Sequence, residues 1–394
     1  MRKVTIGLFL LYPTLHAQFL LSPRRIPEMA EALKPVPNEA TQKCDISVVR
    51  PSLDYGFRYQ AGYSMRTSMT DYVGSGHRLF LLTRITPEAG EKKPVYLGQS
   101  FRLPVVPENK SDMEVGGGFI IGPGRYQVDW MLIDDKNRVC RKHWTISAAA
   151  NSKVKLAMPP NSVTDMTLRG IPRDNPQDDD ARKIKLTIML HATPVSSRRN
   201  LMRSSDEVML LSTLSSILQR VRASSVRLVV FNLEKRSQLY SKDGFQISDL
   251  EQVDEAINKV DLGMVDYKVL QEPKGHLDFL NDLASTEVSA EQPSDVVIFL
   301  GPPARSFDKP APLELAKGTA AQPHFFYVRL EPFGLRGPIR PNFGPPRPGP
   351  GPGMNPNTGL PDSISFLVKN LKGKSLTVHS PTDFSKAIEL VKAK

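Results

Sequence analysis

The chain has few of the residues and runs that would settle its class at once. Cysteine occurs only twice in 394 residues, at Cys44 and Cys140, which excludes a disulfide-dense scaffold and a cysteine-built zinc or iron–sulfur centre. The net charge is +11, yet no run of Lys and Arg is interleaved with aromatics. The pattern of a nucleic-acid surface is therefore missing, no nucleic-acid partner is expected, and the charge reads as a general surface property. Past the first dozen residues no apolar stretch approaches the roughly 20 residues that span a bilayer, so the chain is not expected to be transmembrane. No internal repeat is present. Gly116-Gly117-Gly118 lacks the Lys-Ser/Thr and the helix of a phosphate loop and reads as a bend between strands.

What is present divides the chain into sections. Met1-Arg2-Lys3, the apolar Val4 to Tyr12 and the small Ala17 before Gln18 have the order of a secretory signal peptide over residues 1–17. Pro13 and His16 interrupt the apolar stretch, which argues against the other reading, a retained membrane anchor. The expected address is the periplasm or the outside of the cell. There an even cysteine count can pair, and Cys44 with Cys140 is the candidate disulfide. Residues 18–43, rich in Pro, Glu and Ala without periodicity, read as a flexible tether.

Residues 44–150 carry short alternating runs broken by Gly, Pro and Asp: Asp54 to Tyr63, Arg78 to Ile85, Val95 to Leu97, and the pair Gly124 to Leu132 and Arg138 to Ser147 around Asp134-Asp135-Lys136-Asn137. This spacing predicts an antiparallel β-sandwich. The Gly-x-Tyr-x-Val start of the last pair, followed by its Asp-rich turn, resembles the closing hairpin of immunoglobulin-like or fibronectin-like modules. His77 and His143 have no metal-ligand spacing around them. Residues 151–182 read as a polar linker. Its Asp178-Asp179-Asp180 lacks the alternating spacing that wraps Ca²⁺ and reads as a solvated acidic loop.

From residue 183 onward, apolar strands alternate with amphipathic helices. Lys183 to Leu190 is a β-branched run that stops at His191. Met209, Leu210, Leu214, Ile217, Leu218 and Val221 share one helical face, and Val226 to Phe231 is the next strand. Strand, helix, strand at this spacing is a βαβ unit. Further strands are expected at Gln238 to Tyr240 as a hairpin, Val265 to Leu270, Asp295 to Gly301, His324 to Leu330 and Leu376 to Val378. Helices are expected from Asp249 to about Asn258, around Leu277 to Ala284, from Ser363 to Leu371, and after Pro381. The fold class is thus mixed, a β-sandwich followed by a three-layer α/β domain over 183–394 with a mostly parallel sheet. A Pro/Gly-rich insertion at 337–361 can join neither helix nor sheet and reads as a disordered loop.

The order of these elements, with the polar break after the first strand, resembles the von Willebrand factor type A domain. The resemblance implies a divalent-metal adhesion site built from Asp-x-Ser-x-Ser after the first strand, a Thr on a later loop and an Asp ending a later strand. Laid on this chain, His191 stands where the first Asp should be, Thr193 fits the first Ser and Val195 replaces the second. His276 stands near the Thr position, and Leu300-Gly301-Pro302 has no carboxylate. Neither a metal nor any other cofactor is therefore expected. What is left is a rim of polar, non-acidic residues, His191, Thr193, Ser196, Ser197, Arg198, His276, Arg305 and Ser306, which suits an anion better than a cation. Ser196, His276 and Asp278 are not set in a Gly-x-Ser-x-Gly elbow, so no catalytic residue is assigned and an enzyme is not expected. The expected function is non-catalytic protein binding or scaffolding with an unidentified protein partner. Two alternatives are electrostatic attachment to an anionic envelope polymer or lipid, and a hydrolase with an unrecognised site.

Overall fold

The computed structural model describes residues 19–108, 112–150, 154–166, 184–195, 202, 204–259, 272, 274–305, 322–332 and 360–394. The expected signal peptide, the acidic loop at 178–180, the strand at 265–270 and all of the 337–361 insertion except Leu360 and Pro361 lie outside the described residues. The chain separates into two compact units, one of Met1–Leu53, Arg58–Ser152 and Leu156–Gly170, the other of Asp54–Phe57, Lys153–Lys155 and Ile171–Lys394. No helix among the described residues is long and apolar enough to cross a membrane.

The first unit is built from antiparallel strands: β1 (Phe19–Leu20), β2 (Asp45–Leu53), β3 (Tyr59–Ser68), β4 (Arg78–Pro87), β5 (Val95–Arg102), β6 (Asp112–Ile121), β7 (Gly124–Asp134), β8 (Val139–Ala148) and β9 (Val163–Asp165). One sheet has the order β1-β5-β4-β7-β8 and the other β2-β3-β6-β9. Both contribute to one interior, where Tyr63 and Met65 of β3 meet Leu79, Leu81, Trp130 and Leu132 of β4 and β7. The expected hairpin is β7–β8, with Asn137 at positive φ in its turn.

Three expectations for this half change. Asp54–Phe57 is a turn rather than the start of a strand: the Phe57 amide donates to Asp54 O at 3.0 Å and Phe57 has φ +58°. Its ring is buried within the second unit, stacked on Phe384 at 5.5 Å. Gly116-Gly117-Gly118 lies inside β6 and is no bend, because a Cβ at Gly117 would run into the Tyr63 ring that crosses it. Residues 18–43, read as a tether, hold β1, which pairs with β5, and helix α1 (Ile26–Ala32). Met29 and Leu33, one turn apart, bury themselves against Leu82, Tyr96 and Met131.

In the second unit β10 (Ile184–His191), α2 (Ser204–Arg220) and β11 (Ala223–Asn232) form the βαβ unit. They are followed by β12 (Ser237–Asp243), α3 (Leu250–Asn258), α4 (Gly275–Val288), β13 (Val296–Gly301), β14 (His324–Leu330), α5 (Ser363–Asn370), β15 (Lys374–Val378) and α6 (Pro381–Lys392). The sheet order is β12-β11-β10-β13-β14-β15, parallel throughout except for the hairpin strand β12. Met189, Phe231, Phe299 and Tyr327 pack on one face with Leu280 and Ala284 of α4 and Ile364 and Leu367 of α5. On the other face Leu186, Ile188, Leu190, Leu228, Val230, Ile298 and Leu300 are equally buried. Burial on both faces is why these strands read as unbroken apolar runs.

Candidate functional site

In an open parallel sheet the ligand edge is where neighbouring strands send their connections to opposite sides. Here that place lies between β10, whose partner in sequence is β11, and β13, whose partner is β14 on the far side. His191 is the last residue of β10 and Gly301 the last of β13. Gly301 has φ +150°, and a Cβ there would sit 2.7 Å from His191 O and 2.9 Å from His191 Cβ. The chain leaving β13 lies this close to His191 only because residue 301 has no side chain.

His191 is 3 % exposed and stacks on Phe231, with ring centroids 5.2 Å apart. Its Nδ1 is 3.3 Å from Pro302 O, and the Tyr327 hydroxyl donates to the same oxygen at 3.0 Å. A carbonyl only accepts, so Nδ1 carries the proton and Nε2 keeps its lone pair. That Nε2 is enclosed and has no hydrogen-bond partner among the described residues. Burial pushes the His191 pKa down to about 4, against a smaller opposing effect of the Pro302 hydrogen bond. The imidazole is therefore neutral at pH 7.

The other rim residues divide. Thr193 is buried just beyond His191, in a turn that Asn232 fixes: Asn232 Nδ2 donates to Ala192 O at 2.7 Å, and its Oδ1 accepts from the Lys235 amide at 2.7 Å. Arg305 turns to Glu331, its Nη2 3.3 Å from Oε1. Arg329 approaches the same oxygen at 3.5 Å, lies 3.7 Å from Asp362 and donates to Thr377 at 2.8 Å. Asp362 caps α5 and also accepts from the Ala304 amide at 3.3 Å. Burial raises its pKa, opposed by the Ser365 amide and by Arg329. His276 is the second residue of α4, behind Gly275, which lies against the Arg236 guanidinium. Ser196, Ser197, Arg198 and Ser306 lie outside the described residues.

This geometry revises the chemistry of the rim. Arg305 and Arg329 are matched by Glu331 and Asp362, so the corner is a closed ionic knot and not a free anion cradle. Among the described residues the donor set at the β10–β13 edge consists of a buried imidazole, a hydroxyl and a carboxamide whose two ends are both engaged. It does not fit a hard divalent cation, which requires several carboxylate or carbonyl oxygens. Among the described residues no group of three or more His, Cys, Asp or Glu is placed to hold a metal. Asn232, Tyr327, Glu331 and Asp362 were not foreseen. Asn232 directly after an apolar strand, and Asp362 before Ser-x-Ser at a helix start, are turn and cap signals that could have found two of them.

In the first unit Cys44 and Cys140 form a disulfide with Cα atoms 6.3 Å apart. His77 and His143 each face a different carboxylate, Asp135 at 3.0 Å and Asp129 at 2.8 Å.

No family model matches the chain, and no curated protein matches it. Among solved structures it is similar to a glycosyl hydrolase family 2 member from Bacteroides cellulosilyticus, at 20 % identity and TM-score 0.19 over 26 % of this chain and 14 % of that one. The periplasmic chaperone SfaE is similar at 12 % identity and TM-score 0.18, over 37 % of this chain and 66 % of that one. A β-glucuronidase from Bacteroides uniformis is similar at 10 % identity and TM-score 0.18, over 74 % of this chain and 36 % of that one. The chain thus spans about 14 % of the first of these proteins. At such TM-scores the likenesses carry no argument about fold or activity.

Proposed function

We propose that the chain is an exported, non-catalytic protein-binding or scaffolding protein, in which a β-sandwich precedes a von Willebrand factor type A-like unit without a working metal adhesion site. The observation that carries the reading is His191. At the residue where the resemblance requires a metal-binding carboxylate stands a neutral imidazole, tied to Pro302 O and sealed from water. The strand order, 3-2-1-4-5-6 in chain order within the second unit, supports the doubly wound part of the reading. Two antiparallel sheets sharing one interior support the sandwich, and the Cys44–Cys140 disulfide supports export. Fold alone does not fix a function, and the partner's identity is left to experiment.

The net charge of +11 favours a second reading, attachment to an anionic envelope polymer or lipid. Retention of the purified chain on an envelope fraction, before and after protease treatment of that fraction, separates the two. Protein binding predicts retention that protease abolishes and added salt barely changes. Retention that survives protease and falls steeply with salt contradicts it and establishes the electrostatic reading.

A further inference from the structure

Two strands of the first unit lie side by side, and both are incomplete. β2 ends one sheet and β8 ends the other. They run next to each other and are joined at their starts by the Cys44–Cys140 disulfide. Ile46 and Val48 of β2 stand opposite Met65 and Tyr63 of β3, and residues directly opposite in an antiparallel pair point to the same face. Tyr63 points at Trp130 and Trp144 of the other sheet, at 5.4 and 6.3 Å. Ile46 and Val48 therefore face the interior. Ile46 packs against the core, but Val48 is 41 % exposed. The interior is left open over it.

The backbone of β8 is incomplete on the same side. Val139 N–H donates to Ala40 O at 2.8 Å, and Val139 O accepts from the Gln42 amide at 3.0 Å. Its polar groups thus point away from β7. Alternation along the strand turns those of Arg141, His143, Thr145 and Ser147 the same way. Among the described residues no backbone group pairs with them. Lys142, His143, Thr145 and Ser147 are exposed, so this edge is accessible. An uncovered inner-face valine beside an unpaired strand edge is what a pair of sheets short of one strand would show.

We infer that this seam receives an extended segment of a partner protein as an added strand, paired to β8 and covering Val48, and that the segment is acidic. The charge around the seam selects it. A cavity of about 770 Å³ at the disulfide end is lined by Lys43, Arg66, Arg141 and Lys142 against Glu39, Asp45 and Asp112. Glu39 is already taken by Arg141, at 2.6 and 2.9 Å, and Asp45 stands opposite Arg66 in the strand register. The lining thus holds four cationic side chains against three carboxylates, Arg66 also lies 3.8 Å from Glu114, and β8 itself carries Arg141 and Lys142 and no carboxylate. Main-chain bonds to β8 would supply affinity, and the lysines with Val48 the preference for alternating acidic and apolar side chains. The inference concerns the first unit and stands apart from the reading of the second.

The probe is a labelled peptide of about eight residues alternating Glu and Val, with a Lys/Val peptide and a backbone N-methylated Glu/Val peptide as controls. Its binding to the full chain is followed by fluorescence anisotropy and by amide exchange. Only the unmethylated acidic peptide should bind, slowing exchange over residues 141–147. Lys142→Glu should weaken it at least about tenfold. Thr145→Pro removes one outward N–H without touching a bond to β7 and should weaken it as much. Equal binding of acidic and basic peptides, or of methylated and unmethylated ones, overturns the inference. So does a sedimentation result in which the chain pairs with itself through β8, because the occupant would then be a second copy. If Thr145→Pro fails to fold, Lys142→Glu and the methylated peptide decide the matter alone.

Discussion

His191 should make the second unit sensitive to mild acid, and the size of the effect follows from its burial. The imidazole titrates near 6.5 when unfolded and near 4 when folded. Between those values protons bind only to the unfolded chain. Stability is therefore fully present above pH 6.5, falls as the pH drops, and stops falling on this account below pH 4. A difference of that size corresponds to about 3 kcal/mol. His191→Phe removes the titration and keeps a ring against Phe231. Pro302 O is not orphaned, because the Tyr327 hydroxyl still donates to it. At neutral pH the exchange should cost no more than about 1 kcal/mol, since the lost hydrogen bond is offset by removal of the unpaired Nε2. The assay is amide exchange at Met189 and Leu190, measured for both proteins across the acid range. Carboxyl groups elsewhere are common to both and cancel. Wild type should lose about 3 kcal/mol more than the variant between pH 6.5 and 4. Parallel profiles would refute the assignment of a buried, neutral His191.

Other changes have equally definite outcomes. Replacing Cys44 and Cys140 together by Ala releases a loop closed across 96 residues and should cost the first unit about 5 kcal/mol, read as a lower urea midpoint that reductant no longer shifts. Gly301→Ala forces a Cβ onto His191 at a backbone angle that disfavours it; a loss of roughly 2–4 kcal/mol is expected in thermal unfolding, with no such loss if the turn is free to relax. Glu207 behaves oppositely to His191. Burial, then Asp254 and Asp206, push its pKa up to about 7, so its contribution is lost as pH rises through 7. Allowing for its partial exposure, Glu207→Gln should stabilise the chain by about 1 kcal/mol above that pH. The gain should vanish below pH 4.5, where the carboxyl is protonated in both states.

The second unit was legible in the sequence wherever burial is complete. Ile188–Leu190, just before His191, and the strand Val296–Gly301 are unbroken apolar runs because both faces of the sheet are covered there. The helix holding Leu277, Leu280 and Ala284 shows its inward face by spacing alone. Of the strands the first unit hid, β2 and β6 were hidden for opposite reasons. β2 is exposed along most of its length, with Ile46 alone of its apolar residues packed on the core, so its residues do not alternate clearly, and β6 carries Gly117 and Gly118 where Tyr63 and Met166 fill the space side chains would take. The site was half legible. That a strand ends at His191 is visible in the sequence, but what His191 does depends on Pro302, 111 residues away, and on Tyr327. No local pattern announces such a tie. Arg305 was expected to offer free charge, and only the fold shows that Glu331 meets it.

Titration calorimetry of Mg²⁺ and Mn²⁺ into the full chain, beside His191→Asp as a comparison, tests the metal-free carboxyl edge most directly. The wild type should give no heat of binding. Micromolar binding by the wild type would contradict the account and make a metal-dependent adhesion mechanism the leading explanation.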